Sequence, residues 1–105
     1  MVTAKRAPAH LADGTRAWWR SAVETYELAP HHERLLTLAG EAWDRAQQAR
    51  EVIEREGPYY QDRFGQPRAH PALAVERDSR LAFARLVREL DLDAEALPTP
   101  RARRG

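Results

Sequence analysis

Residues 30–57 read PHHERLLTLAGEAWDRAQQAREVIEREG, with no proline after the first position and one internal glycine, Gly40. Proline suits the first position of an α-helix, where its missing N–H has no partner to lose. Gly57 followed by Pro58 suits a helix end, because glycine accepts the backbone that closes the last turn and proline cannot continue it. These bounds predict a helix from Pro30 or His31 to Glu56, about 26 residues and ~39 Å long. No other feature constrains the fold as strongly, because a rod of that length must be covered along one side. Leu35, Ala39, Ala42, Ala46, Ala49 and Ile53 recur along it at steps of 4, 3, 4, 3 and 4, a heptad seam. Four of the six are alanine, so a partner helix can come close. Leu36 and Trp43, seven apart, flank the seam, while Glu41, Arg45, Gln48 and Glu51 form a solvent face. Periodicity does not say whether the partner is another helix of this chain or a second copy.

The rest of the chain is organised around that helix. Residues 1–12 hold Pro8 and small or polar residues without a period, and read as a flexible basic arm. Asp13 or Gly14 can cap a first helix running to about Glu27. Trp19, Val23 and Tyr26 give it one apolar face, with Trp18 beside it, until Leu28-Ala29-Pro30 breaks the run. Tyr59-Tyr60-Gln61 and Gln66-Pro67-Arg68 bracket a glycine turn, which reads as a β-hairpin over about residues 58–69. Two strands are marginal alone, so the hairpin must lean on the helices or on another subunit. Pro71 opens a third helix to about Leu90, with Ala72, Val75, Ser79, Ala82, Phe83, Leu86, Val87 and Leu90 on its buried side. Asp91 and Asp93 oppose the dipole at its end and predict a break; Asp93 can cap a short turn over residues 94–97. The expected architecture is mainly α, three principal helices with a hairpin between the second and third. A helical domain would span residues 13–93, followed by a flexible basic tail at 94–105.

Composition narrows the function classes. A chain of 105 residues holds one lean domain, so association with further copies would add to its stability. The formal net charge of +1 excludes strong nonspecific attraction of the whole molecule to nucleic acid or membrane. The charge is nevertheless blocked along the chain: +3 over residues 1–20, −4 over 21–56, +3 over 57–88, −4 over 89–97 and +3 over 98–105. Such alternation suits charged faces and tails. Without cysteine there is no disulfide, thiolate metal site or cysteine nucleophile. No apolar run approaches the ~18–20 residues of a membrane span, and the first residues lack the apolar stretch of a signal peptide. A cytosolic protein that meets no membrane is expected.

With these residues laid out, the chain resembles the small subunit of a phage terminase, of the P27 type found in tailed phages and prophages of actinobacteria. The resemblance is carried by Thr15-Arg16-Ala17-Trp18-Trp19-Arg20, Tyr26-Glu27-Leu28-Ala29-Pro30-His31-His32 and Glu41-Ala42-Trp43-Asp44-Arg45. It continues through Asp62-Arg63-Phe64-Gly65-Gln66-Pro67-Arg68, His70-Pro71-Ala72, Glu76-Arg77-Asp78-Ser79-Arg80-Leu81-Ala82-Phe83-Ala84-Arg85-Leu86 and Arg88-Glu89-Leu90-Asp91-Leu92. These stretches cover residues 13–93 in order. The resemblance implies a non-catalytic packaging factor of the bacterial host cytoplasm. Such a factor forms a homo-oligomeric ring, engages double-stranded viral DNA and serves a large subunit that holds the ATPase and nuclease. The arm at residues 1–12 is shorter and less basic than the family would suggest.

Candidate sites follow from residue chemistry. Arg16 and Arg20 share a helix face and could grip phosphates, with Lys5 and Arg6 as an extension and Arg101, Arg103 and Arg104 as a cationic tail. Phosphate contacts position a protein without reading sequence. The bland alternative is a solvated face and an idle tail. Arg77, Arg80, Arg85 and Arg88 lie among Glu76, Asp78 and Glu89, which favours local ion pairs. Leu35, Ala39, Ala42, Trp43, Ala46, Ala49 and Ile53 form the packing seam, between subunits or within one. Trp18, Trp19 and Trp43 read as core or interface anchors before base-stacking platforms. His31-His32 cannot chelate one ion as an i, i+4 pair could, and reads as first-turn polarity; His70 reads as a cap. No phosphate-binding glycine loop, G-x-S-x-G or H-E-x-x-H occurs, and no carboxylate pair stands out for acid–base work. No catalytic, cofactor or metal site is expected, so an enzyme such as a metal-dependent nuclease is disfavoured. A helical adaptor that binds only protein is the alternative to a DNA-binding subunit.

Overall fold

Local chemistry sets the ends of the elements, and the computed structural model describes residues 5–92. They form α1 (Asp13–Thr25), α2 (Pro30–Glu56), β1 (Tyr59–Gln61), β2 (Pro67–Ala69) and α3 (Pro71–Leu90). The fold is mainly helical, with the antiparallel hairpin between α2 and α3, as the sequence predicts. Pro30 stands first in α2, and Gly57 ends it at φ 86° with its N–H donated to the Ile53 carbonyl. His70 caps α3 by accepting the Ala72 N–H at 3.0 Å. Asp91 closes α3 in the left-handed region at φ 49°. The second strand lies one residue later than expected, pairing Tyr59 with Ala69, Tyr60 with Arg68 and Gln61 with Pro67.

The α2–α3 pair is the backbone of the molecule. Leu36 and Leu90 meet in one cluster, the Trp43 and Phe83 rings lie 5.1 Å apart, and Arg50 reaches Glu76 at 3.8 Å. Each step of seven forward along α2 is thus answered by a step of seven back along α3. That is the register of an antiparallel coiled-coil hairpin. Ala39, Ala42, Ala46 and Ala49 are all buried within the single chain, opposite an α3 that buries Ala72 and Ser79. Small side chains on both helices let the backbones approach.

Helix α1 crosses one end of this pair. Trp19, Ala22, Leu11, Leu36 and Leu90 form the core cluster, with Trp18, Val23, Tyr26, Leu28, Leu35 and Leu92 packed on its edge. The helix stops at Thr25, two residues before the expected end. Tyr26 turns extended (φ −115°), and its ring and Leu28 then pack on the cluster. Two apolar residues expected on the buried side of α3, Val75 and Val87, are exposed instead at 40% and 37%; Val75 lies beyond the end that α1 covers, while Val87, between Phe83 and Leu90, is exposed by its position around the helix.

Candidate functional site

Residues 5–12, expected to be a flexible arm, run along α2 in this fold. Lys5 Nζ bonds Glu33 at 2.7 Å and His10 meets Glu41 at 2.7 Å, while Leu11 is buried against Gly40. Helix α1 has no cap from its own side chains, contrary to the expectation for Asp13 or Gly14. Asp44 of α2 supplies the acceptors instead: Oδ2 takes the Ala12 N–H at 2.8 Å and Oδ1 takes the Thr15 hydroxyl at 2.6 Å. A carboxylate at a helix N-terminus also opposes the positive end of its dipole. Asp13 is left to pair with Arg16 at 2.6 Å.

The cations singled out from sequence therefore fall into three groups. Lys5 and Arg16 are held by acids, and the Nε of Arg16 is buried without a partner. Arg6 and Arg20 are exposed and form no ion pair among the described residues. Arg101, Arg103 and Arg104, like the turn expected at 94–97, lie outside the described residues. On α3 local pairing holds only for Arg77, which meets Asp78 at 3.3 Å. Arg80, Arg85 and Arg88 are exposed without a salt bridge among the described residues. Glu76, four residues before Arg80 on α3, instead lies 3.8 Å from Arg50 of α2, which sequence proximity alone could not show.

Of the seam residues, the four alanines are buried, Leu35 and Ile53 are half-buried and Trp43 stands 47% exposed. Trp43 and Trp18 flank the Phe83 ring at 5.1 and 6.0 Å. One aromatic from each helix thus lines an open groove of about 670 Å³, with Asp44 and Glu51 on its rim and no cationic side chain among its described lining residues. The groove was not foreseen. Trp18 and Trp43 read from the sequence as core or interface anchors, but nothing local brings both rings to Phe83.

The hairpin tip is a second surface. Asp62 organises its turn: Oδ1 accepts the Phe64 and Gln66 N–H groups at 2.8 and 3.0 Å, and Oδ2 accepts Arg68 Nε at 2.9 Å. The Gln66 N–H first, then Arg68 and the Phe64 N–H, hold its carboxyl below the ordinary aspartate value. Gly65 takes the positive φ of 77° that the turn requires. At the base, the hydrogen bond from His70 at 2.8 Å holds Glu56 below the usual glutamate value. Tyr59, Tyr60 and Phe64 are exposed at 66%, 47% and 73%, with the Arg63 guanidinium 5.0 Å from the Phe64 ring centre. His32 accepts the Ala29 N–H at 3.3 Å, which fits first-turn polarity. Among the described residues no group of three His, Asp or Glu is placed to hold a metal. No described helix is long and apolar enough to cross a membrane.

The fold thus presents exposed aromatics at the hairpin tip and, among the described residues, exposed arginines without a salt bridge, on a mainly helical scaffold. The chain matches the family model described as phage terminase, small subunit, over residues 16–103, and it belongs to that family. No curated protein and no solved structure matches it. Membership assigns the chain a role in phage DNA packaging and agrees with a non-catalytic part.

Proposed function

We propose that this chain is the non-catalytic, oligomerising small subunit of a P27-type packaging terminase. It binds viral duplex DNA in the host cytoplasm and recruits or regulates the large ATPase–nuclease subunit. The family match across residues 16–103 carries this reading. The geometry supports it through Arg6, Arg20, Arg80, Arg85 and Arg88, exposed cations that form no salt bridge among the described residues. Few contacts per chain suffice when a ring repeats them, because linked sites multiply weak affinities. With its alanines buried inside the chain, α2 keeps Leu38 exposed apart from the groove residue Trp43, while Leu81 of α3 is 59% exposed. These larger apolar residues are the contacts we assign to the ring. The aromatic hairpin tip is the surface we assign to the large subunit.

A gel-shift titration of duplex DNA over a salt series tests the reading. Binding should weaken linearly on a logarithmic salt scale, with slope about −0.9 per phosphate neutralised. The double substitution Arg85→Glu/Arg88→Glu should weaken it alike on every sequence. Native mass spectrometry should show a closed oligomer. The second reading, a protein-only adaptor, is favoured by the ion pairs that already occupy Lys5 and Arg16. Absence of any shift at low salt would decide for it. Nicking of DNA in magnesium or manganese would defeat the non-catalytic assignment.

A further inference from the structure

The groove that opens beside Trp18, Trp43 and Phe83 has no part in the function proposed above. We propose that it is the docking site of the chain's own C-terminal segment, residues 98–104. Three observations converge on that occupant.

The first is chemical. Three aromatic side chains wall the groove and Asp44 and Glu51 edge it, with no cation among the described lining residues. Residues 98–104 read PTPRARR, two prolines and three arginines without an acid. Aromatic grooves take proline-rich segments, and guanidinium groups favour the faces of tryptophan rings. The second is register. Asp44 and Glu51 are seven residues apart on α2, about 10 Å along its axis. A proline-rich strand rises about 3.1 Å per residue, so positions three apart in one would match that spacing, and Arg101 and Arg104 are three apart in the sequence. The third is reach. Leu92 packs on the cluster that Trp18 also touches, and Phe83 lies about 10 Å back along α3 from Leu90. The five residues 93–97 can span up to about 18 Å, enough to return residue 98 to the groove. The proposal does not depend on DNA binding. Its consequence is that the docked arginines are withheld from phosphates until a competitor takes the groove.

The chain has no cysteine, so Gly105→Cys offers a single attachment point for a nitroxide on otherwise intact protein. In nitrogen-15 spectra at low salt, the oxidised label should reduce the Trp18 and Trp43 indole N–H signals several-fold. They should recover in ~1 M salt, where screening acts within about 3 Å, and in Arg101→Glu/Arg104→Glu, which leaves residues 5–92 untouched. Indole signals unchanged by the oxidised label overturn the proposal, as does broadening that the double substitution fails to relieve. Broadening seen only when spin-labelled chains are mixed with nitrogen-15 chains overturns it too, since the occupant is then a second copy's tail.

Discussion

Asp44 carries more of the tertiary structure than any other charged residue described. Its carboxylate ends α1 from across the helix pair, through the Ala12 N–H and the part-buried Thr15 hydroxyl. Asp44→Ala strands both donors, so we expect a loss of about 1–3 kcal/mol in urea unfolding. Asp44→Asn should recover part of it, since an amide oxygen still accepts. Gly40 faces the same contact from α2. A Cβ there would stand 3.0 Å from Thr15 Cγ2 and 3.3 Å from Leu11 Cδ1. Alanine in a helix gains ~1 kcal/mol over glycine, whereas overpacking costs about 1–3 kcal/mol. Thr15 cannot rotate away while its hydroxyl is held by Asp44, so the clash wins. Gly40→Ala should lower the melting temperature, against the helix-propensity trend. Neither role was legible in the sequence. Asp44 lies outside the seam, and Gly40 reads as a tolerated flaw in a helix until Leu11 and Thr15 are placed against it.

At the scale of elements, one carboxylate organises the hairpin turn beside the strand pairing. The Asp62 pKa is lower in the folded turn than in an unfolded chain. Its contribution is therefore complete above the ordinary aspartate pKa and is lost as pH falls through the depressed folded value. The Phe64 and Gln66 amide resonances should titrate together below the pH at which a free aspartate titrates, and Asp62→Asn should abolish that shared transition. This element was legible because its chemistry is local: aromatic runs, a glycine turn and a proline all lie within a dozen residues. The cap of α1 was not, because it comes from Asp44, about 30 positions away.

Across the whole molecule, α2 and α3 form a continuous antiparallel pair, while α1 and residues 5–12 are attached to one end. That asymmetry predicts graded stability. In native-state hydrogen exchange, α1 amides should open before those in the middle of α2. Trp19, buried and bonded through Nε1 to the Thr37 hydroxyl at 3.1 Å, is the principal anchor of α1. Trp19→Ala should cost about 3–5 kcal/mol and remove protection from α1, leaving the hairpin resonances in place. Loss of the hairpin signals in that variant would mean the two ends fold as one unit.

Proline, glycine and carboxylate chemistry along the chain was enough to delimit the three helices, the hairpin and the small-residue stripe on the longest helix, because those signals act between residues a turn or two apart. The identity of the partner for that stripe was beyond it, since a row of alanines looks the same to a helix of the same chain and to a neighbour's. Tertiary structure decided that α3 fills it. It also decided which of the described arginines form no salt bridge among the described residues, how α1 is capped, and that three aromatics from three helices share a groove. Each of these depends on the azimuth and register of helices distant in sequence, which are settled only when the rods pack.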